Sequence, residues 1–153
     1  MDQGFRWALV RRQVRAPFFV RDDRRADHRS AVHPGFRLLF RVIEENTLKR
    51  CPDLLVECIA VGNGRPSPAL LIELGPGAAT FGDADSVKRE VYRRIRHFQS
   101  RRLAHERIGS VGSIVIVQGS AWSRTPAGNV RRVDVEQKFQ RELDRAHAAA
   151  SAR

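Results

Sequence analysis

The sequence predicts an α+β domain, a small three-stranded sheet covered by helices in the order helix, strand, strand, helix, strand, loop, helix. Three observations lead there. Two apolar runs, Leu54–Val61 and Ala69–Leu74, flank Gly62-Asn63-Gly64-Arg65-Pro66, a connection short enough to demand antiparallel pairing. Val87, Val91, Ile95 and Phe98 recur every three or four residues, the mark of an amphipathic helix. A third apolar run, Ile114-Val115-Ile116-Val117, precedes the i, i+4, i+8 stripe Val135, Phe139, Leu143.

In chain order, residues 1–38 are rich in arginine and show no sustained period, so they read as a disordered basic extension. His33-Pro34-Gly35 is a break. Phe36, Leu39, Phe40, Ile43 and Thr47 then fall at helical spacing, with Glu44-Glu45-Asn46 on the other side, and Cys51-Pro52 ends the helix because a residue before proline avoids the α region. The strand Leu54–Val61 is interrupted only by Glu57, and Gly75-Pro76-Gly77 closes its partner. Asp83 and Asp85 are candidate N-caps for the second helix, whose outer face carries Lys88, Arg89, Arg93, Arg94 and Arg96. After the third strand, Ser123–Arg132 reads as a tight loop opening a polar strand, with turns set by Pro126 and Gly128. A final helix is expected from about Asp134 to His147, and residues 149–153 should fray. The folded domain is thus expected over 39–148.

The totals limit what this domain can be. A chain of 153 residues has room for one domain, and 42% hydrophobic content can fill a core. The net charge of +11 is steepest over residues 1–41, where ten Lys and Arg face four acidic residues. Such a balance suits nucleic acid or another polyanion, although a charged tail with solvated helix faces is the simpler reading. Cys51 and Cys58 lie seven apart, with no His pair at ligand spacing, so no metal site is expected. Apolar stretches near the start are too short for a signal or a membrane span, which makes a cytoplasmic, reducing setting the default. There is no Gly-x-Ser-x-Gly, His-Glu-x-x-His or Cys-x-x-Cys motif. His105 beside Glu106 reads as an ordinary loop histidine rather than a base.

Four stretches, in order, carry a resemblance. They are Val42-Ile43-Glu44-Glu45 with Cys51-Pro52-Asp53-Leu54, Val61–Pro66 with Ala69–Ile72, Ala104–Ile108, and Thr125-Pro126-Ala127-Gly128-Asn129-Val130-Arg131-Arg132 with Val135, Phe139 and Glu142 downstream. Over roughly residues 41–147 the chain resembles the small C-terminal lid domain of adenylate-forming enzymes: acyl-CoA synthetases, luciferases and peptide-synthetase adenylation domains. Fungal reductase-type, peptide-synthetase-like proteins are the nearest variant.

The resemblance implies an ATP- and Mg²⁺-dependent reaction in the complete enzyme, which joins a carboxylate to the α-phosphorus of ATP and releases pyrophosphate. It implies that a loop with Thr125 and Gly128 faces the adenylate. It also places a catalytic lysine, which offsets the growing negative charge, at the position of Asn129. Losing one such preorganised donor typically costs on the order of 10²–10³ in rate. Asn129 can donate a hydrogen bond and cannot neutralise an anion. Relatives of the reductase type often carry a lysine two residues earlier, where this chain has Ala127. In an extended strand Arg131 would share a side with Asn129, which makes Arg131 the possible substitute, while Arg131 and Arg132 as exposed strand charges is the plainer reading.

The family's Gly-Arg-x-Asp hinge has no counterpart in His33-Pro34-Gly35-Phe36-Arg37. Its large domain, with the phosphate loop and the acyl and adenine pockets, has no counterpart in residues 1–38. The expectation is therefore a truncated lid, inactive alone and needing no cofactor by itself, whose partner is a large adenylation domain or nothing. A basic polyanion- or nucleic-acid-binding module is the alternative, a stand-alone small enzyme the least favoured, and no membrane association is expected.

Overall fold

A computed structural model of the chain describes residues 34–62, 64–118 and 122–151. The basic arm expected at the N-terminus lies, through residue 33, outside the described residues. The first helix, α1, spans Pro34–Arg50. Proline suits a first helical position, because its φ is preset and its missing N–H would have no intrahelical partner. Phe40, Ile43 and Thr47 are buried along one side, and the Thr47 hydroxyl donates to the Ile43 carbonyl at 2.8 Å. Lys49 and Arg50 in the last turn complement the negative end of the helix.

Strand β1, Leu55–Val61, pairs antiparallel with β2, Ala69–Leu74, from Leu55↔Leu74 to Val61↔Ala69. The register shifts between Leu55 and Glu57, and at this bulge Val56 is 61% exposed. Strand β3, Ile114–Val117, lies parallel to β2, from Leu70↔Ile114 to Glu73↔Val117, so the sheet is mixed with the order β1-β2-β3. A parallel neighbour needs a long crossover. Helix α2, Ala84–Gln99, supplies it.

Both faces of the sheet are covered. Cys58, Ala60, Leu70, Ile72 and Ile114 meet α1 and α2 through Phe40, Ile43, Val87, Val91 and Ile95. Ile59, Val61, Ala69, Leu71 and Val117 meet Trp122, Val135 and Leu143. This is why the strands read as unbroken apolar runs: alternate residues point to opposite layers, and neither layer is water. Each fully buried Leu or Ile contributes about 1.5–3 kcal/mol relative to exposure.

Asp83 is the N-cap of α2, its carboxylate accepting from the Ser86 N–H at 2.8 Å. The buried stripe runs Val87, Val91, Ile95, Gln99, with Phe98 only partly covered. Gln99 ties down the chain beyond the helix, its side-chain oxygen accepting from the Ile108 N–H at 2.5 Å. On the outer face Glu90 grips both Arg93 and Arg94, and Arg94 reaches Asp53 at 2.6 Å. Hydrogen bonds from Arg93 and then Arg94 hold the Glu90 carboxyl down at about 2. Between β2 and α2 a 3₁₀ turn, Pro76–Phe81, passes tightly over the Asp53 backbone.

Two local expectations change. The single final helix is two, α3 at Arg132–Lys138 and α4 at Gln140–Ser151, with Phe139 leaving helical dihedrals between them. Val135 and Leu143 are both buried against the same face of the sheet, so the apolar period runs straight through the interruption and leaves no mark of it in the sequence. The helix also continues to Ser151, past the point where fraying was expected. Among the described residues no helix is long and apolar enough to cross a membrane.

Candidate functional site

The loop after β3 is held at its stem by Trp122, which is buried and donates its indole N–H to a Glu73 carboxylate oxygen at 2.6 Å. Arg124 and Val130 form an isolated antiparallel bridge. Between them the chain turns on its own hydrogen bonds. The Thr125 N–H donates to Asn129 O and the Gly128 N–H to Thr125 O, each at 2.8 Å, and the Asn129 N–H reaches the Thr125 hydroxyl oxygen at 3.2 Å. Gly128 sits at φ +84°, a region that costs an L side chain strain, so glycine is the residue this turn asks for. Arg124 braces the turn from outside, donating to Gly128 O at 3.0 Å and pairing with Glu57 on β1.

Thr125 is half-buried with its backbone committed to the turn, while Pro126, Ala127, Gly128 and Asn129 form an exposed tip. The Asn129 amide and the Arg131 guanidinium therefore both face solvent, the latter 59% exposed and 3.1 Å from Asp134. The extended strand expected through 129–132 stops at Val130. Arg131 is the N-cap residue of α3, with φ −85° and ψ 88°, and Arg132 is already helical.

Arg132 is not an exposed strand charge. Its guanidinium takes both oxygens of Glu44, at 2.5 and 2.8 Å, and donates to the Ala60 carbonyl at 2.8 Å. Glu44 in turn accepts from the Ala60 N–H at 2.7 Å. The helix turn after Val130 is what directs the guanidinium inward, so α1, the edge of β1 and the loop's exit are joined by one paired charge.

An open groove runs between the loop and β1, lined among others by Glu57, Cys58, Asn129, Arg131 and Arg132. Cys58 is no nucleophile there. It is 3% exposed, its thiol donates to Glu44 O at 3.5 Å, and burial pushes its pKa far up. The groove does not suit a Mg²⁺ ion held by this domain: Glu44, Glu57 and Asp134 are each engaged by an arginine. Among the described residues no three metal-ligating side chains cluster. His105 lies in a one-turn 3₁₀ segment, Ala104–Glu106, well along the chain from this loop.

Sequence reasoning singled out Thr125, Gly128, Asn129 and Arg131; the structure places the first three in one turn and Arg131 just beyond it, at the start of α3. It missed Glu44, Glu57, Arg124, Trp122 and Glu73, which hold the turn in place. Glu44 and Arg132 are 88 residues apart, and no periodicity links them.

The family model described as AMP-binding enzyme C-terminal domain matches residues 42–151, from within α1 to the end of α4. The chain belongs to this family. It is also similar to a protein named AMP-binding domain-containing enzyme iboA from Amanita muscaria (strain Koide BX008), with 41% identity over 85 residues. That match takes in 56% of this chain and 16% of the relative's length. No solved structure matches the chain. An AMP-binding C-terminal domain is thus what the sheet, its two helical layers and the 123–132 loop compose, and the chain fits part of an adenylate-forming enzyme.

Proposed function

We propose that this domain is the lid of an ATP-dependent carboxylate-adenylating enzyme, inactive alone and working only against a large domain that binds ATP and the acyl substrate. One observation carries the reading. In a domain of the AMP-binding C-terminal family, a turn closed by hydrogen bonds among Thr125, Gly128 and Asn129 leaves Asn129 exposed at its tip, with Arg131 close behind. A lid must present such a surface without reorganising it, since donors preset before reaction lose nothing at the moment charge develops. Thr125 and Gly128 shape the turn, Asn129 donates a hydrogen bond, and Arg131, which would have to turn from its exposed pairing with Asp134, supplies a cation close to the tip to offset negative charge on the adenylate.

Carboxylate-dependent pyrophosphate release tests this, with the full chain mixed with the isolated large domain of a relative. The expected result is no release from this chain alone and measurable release from the mixture. Asn129→Lys should raise it and Arg131→Ala should lower it. Release by the chain alone refutes the reading, as does a mixture no faster than the large domain by itself in both the native and Asn129→Lys forms.

A further inference from the structure

Glu57 on β1 and Glu73 on β2 stand directly opposite each other in the sheet register. Like charges so placed repel and weaken a sheet. The stem of the 123–132 loop occupies both: the Trp122 indole N–H donates to Glu73 at 2.6 Å, and the Arg124 guanidinium pairs with Glu57. We propose that Arg124 is a positioning residue for the adenylation reaction, one that takes its bearing from Glu57 and holds Asn129 where the adenylate forms. This role rests on the adenylation reading.

The turn's internal hydrogen bonds fix its shape and leave its aim to the attachments at its base. Its two arms are joined by the Arg124↔Val130 bridge and by the Arg131 N–H, which donates to Ser123 O at 2.7 Å. Such a two-stranded ribbon is marginal in water without support. Arg124 supports it at two levels. Its Nη2 pairs with Glu57, and its Nη1 donates to Gly128 O at 3.0 Å. The peptide unit that carries this carbonyl also carries the Asn129 N–H, which reaches the Thr125 hydroxyl oxygen at 3.2 Å. A peptide unit is planar, so a hold on its oxygen orients its N–H and the Cα of Asn129 as well. The sheet, the guanidinium and the tip are thus one line of contacts, from Glu57 through Arg124 and Gly128 to Asn129.

The side chain suits the task. A guanidinium is a rigid fork that serves two acceptors at once, whereas a lysine ammonium is a point charge on a flexible stem. With both terminal nitrogens engaged, Arg124 does not itself meet the adenylate: it acts through Gly128 and Asn129. It also differs from Arg132, whose guanidinium is turned inward onto Glu44 and Ala60 O. The Arg124 side chain is 44% exposed, so its replacement leaves the core of the domain intact. A misplacement of about 1 Å at a reacting centre can cost about 10² in rate, which is how a surface contact comes to govern the tip.

The test compares the native full chain with Arg124→Gln, Glu57→Gln, the double variant and Arg124→Lys, each shown folded by a thermal midpoint well above the assay temperature. In the chain alone, ¹⁵N order parameters of the Gly128 and Asn129 amides should lie near about 0.85 in the native form and fall toward about 0.6 in both glutamine variants. In the mixture with a relative's isolated large domain, carboxylate-dependent pyrophosphate release at saturating chain should fall about tenfold or more in each glutamine variant, and no further in the double. The chain concentration that gives half-maximal release should hold, whereas damage to the domain as a whole would move it. Arg124→Lys should recover part of the rate. Equal order parameters in the native and Arg124→Gln chains overturn the proposal. So does a slow Arg124→Gln beside a Glu57→Gln as fast as native, which would make Arg124 a direct contact of the adenylate. Release from the native mixture that both glutamine variants match refutes this role alone, while a native mixture without release refutes the adenylation reading and this role with it.

Discussion

Replacing Arg132 by alanine should cost far more stability than replacing its neighbour Arg131. The Arg132 guanidinium makes three hydrogen bonds, two to the Glu44 carboxylate and one to Ala60 O. Side-chain exposures of 27% for Arg132 and 13% for Glu44 place the pair between a surface ion pair and a dry one. Exposed pairs are worth about 0–1 kcal/mol, and breaking a buried pair by removing one partner costs about 3–5 kcal/mol, so about 2 kcal/mol is expected here. The loss has two sources: Glu44 keeps its Ala60 N–H donor but loses its counter-charge, and Ala60 O loses a donor at a sheet edge. With a urea m-value of about 2 kcal/mol/M for a domain of this size, the unfolding midpoint should fall by about 1 M. A double-mutant cycle with Glu44→Ala should return a coupling of about 1–2 kcal/mol, because the two side chains share one hydrogen-bonded unit. Arg131→Ala, which removes an exposed charge paired within the first turn of α3, should leave the midpoint in place. The reasoning fails if the two alanine variants shift the midpoint equally, or if the cycle shows no coupling.

Two further outcomes follow from the packing. Gly77→Ala should destabilise the chain by about 1–3 kcal/mol, the range for overpacking, because its Cβ would collide with the backbone carbonyl oxygen of Asp53; a thermal midpoint unchanged from the native chain would contradict the close approach. Stability should also fall on the alkaline side. Burial raises the Cys51 pKa to about 11 and that of Cys58 further, whereas thiols in the unfolded chain ionise near about 8.5. Below that value both states hold their thiol protons and the contribution is complete. As pH rises from about 8.5 toward 11 the unfolded state releases protons that the fold retains, and stability drains away. Urea unfolding at pH 7.5, 9 and 10 should show a shallower decline in the Cys51→Ala/Cys58→Ala chain. Parallel declines would remove the thiols as the cause.

The fold was legible because both signals it needs are local. Alternate residues along Cys58–Val61 and Ala69–Ile72 are all apolar, and a strand buried on both faces has no other way to read. Val87, Val91 and Ile95 mark their helix by spacing alone, and Asp83 marks its start. The tight turn at 125–129 was legible from Pro126 and Gly128, since each limits φ by its own covalent structure. Where the chain reverses and which residues are apolar therefore belong to the sequence. The direction of β3, the break at Phe139 and the partners of Glu44, Arg124 and Arg132 do not. They depend on which surfaces meet across the sheet, a distance of tens of residues along the chain. A carboxylate on a helix looks like any solvated charge until a guanidinium from α3 is brought against it. The orphaned Nε2 of His147 is the same kind of fact: its enclosure arises only when the end of α4 closes over the start of β3. Local geometry is written residue by residue, whereas the pairing of charges is settled by packing, because Coulomb energy depends on separation in space and on the water excluded between the charges.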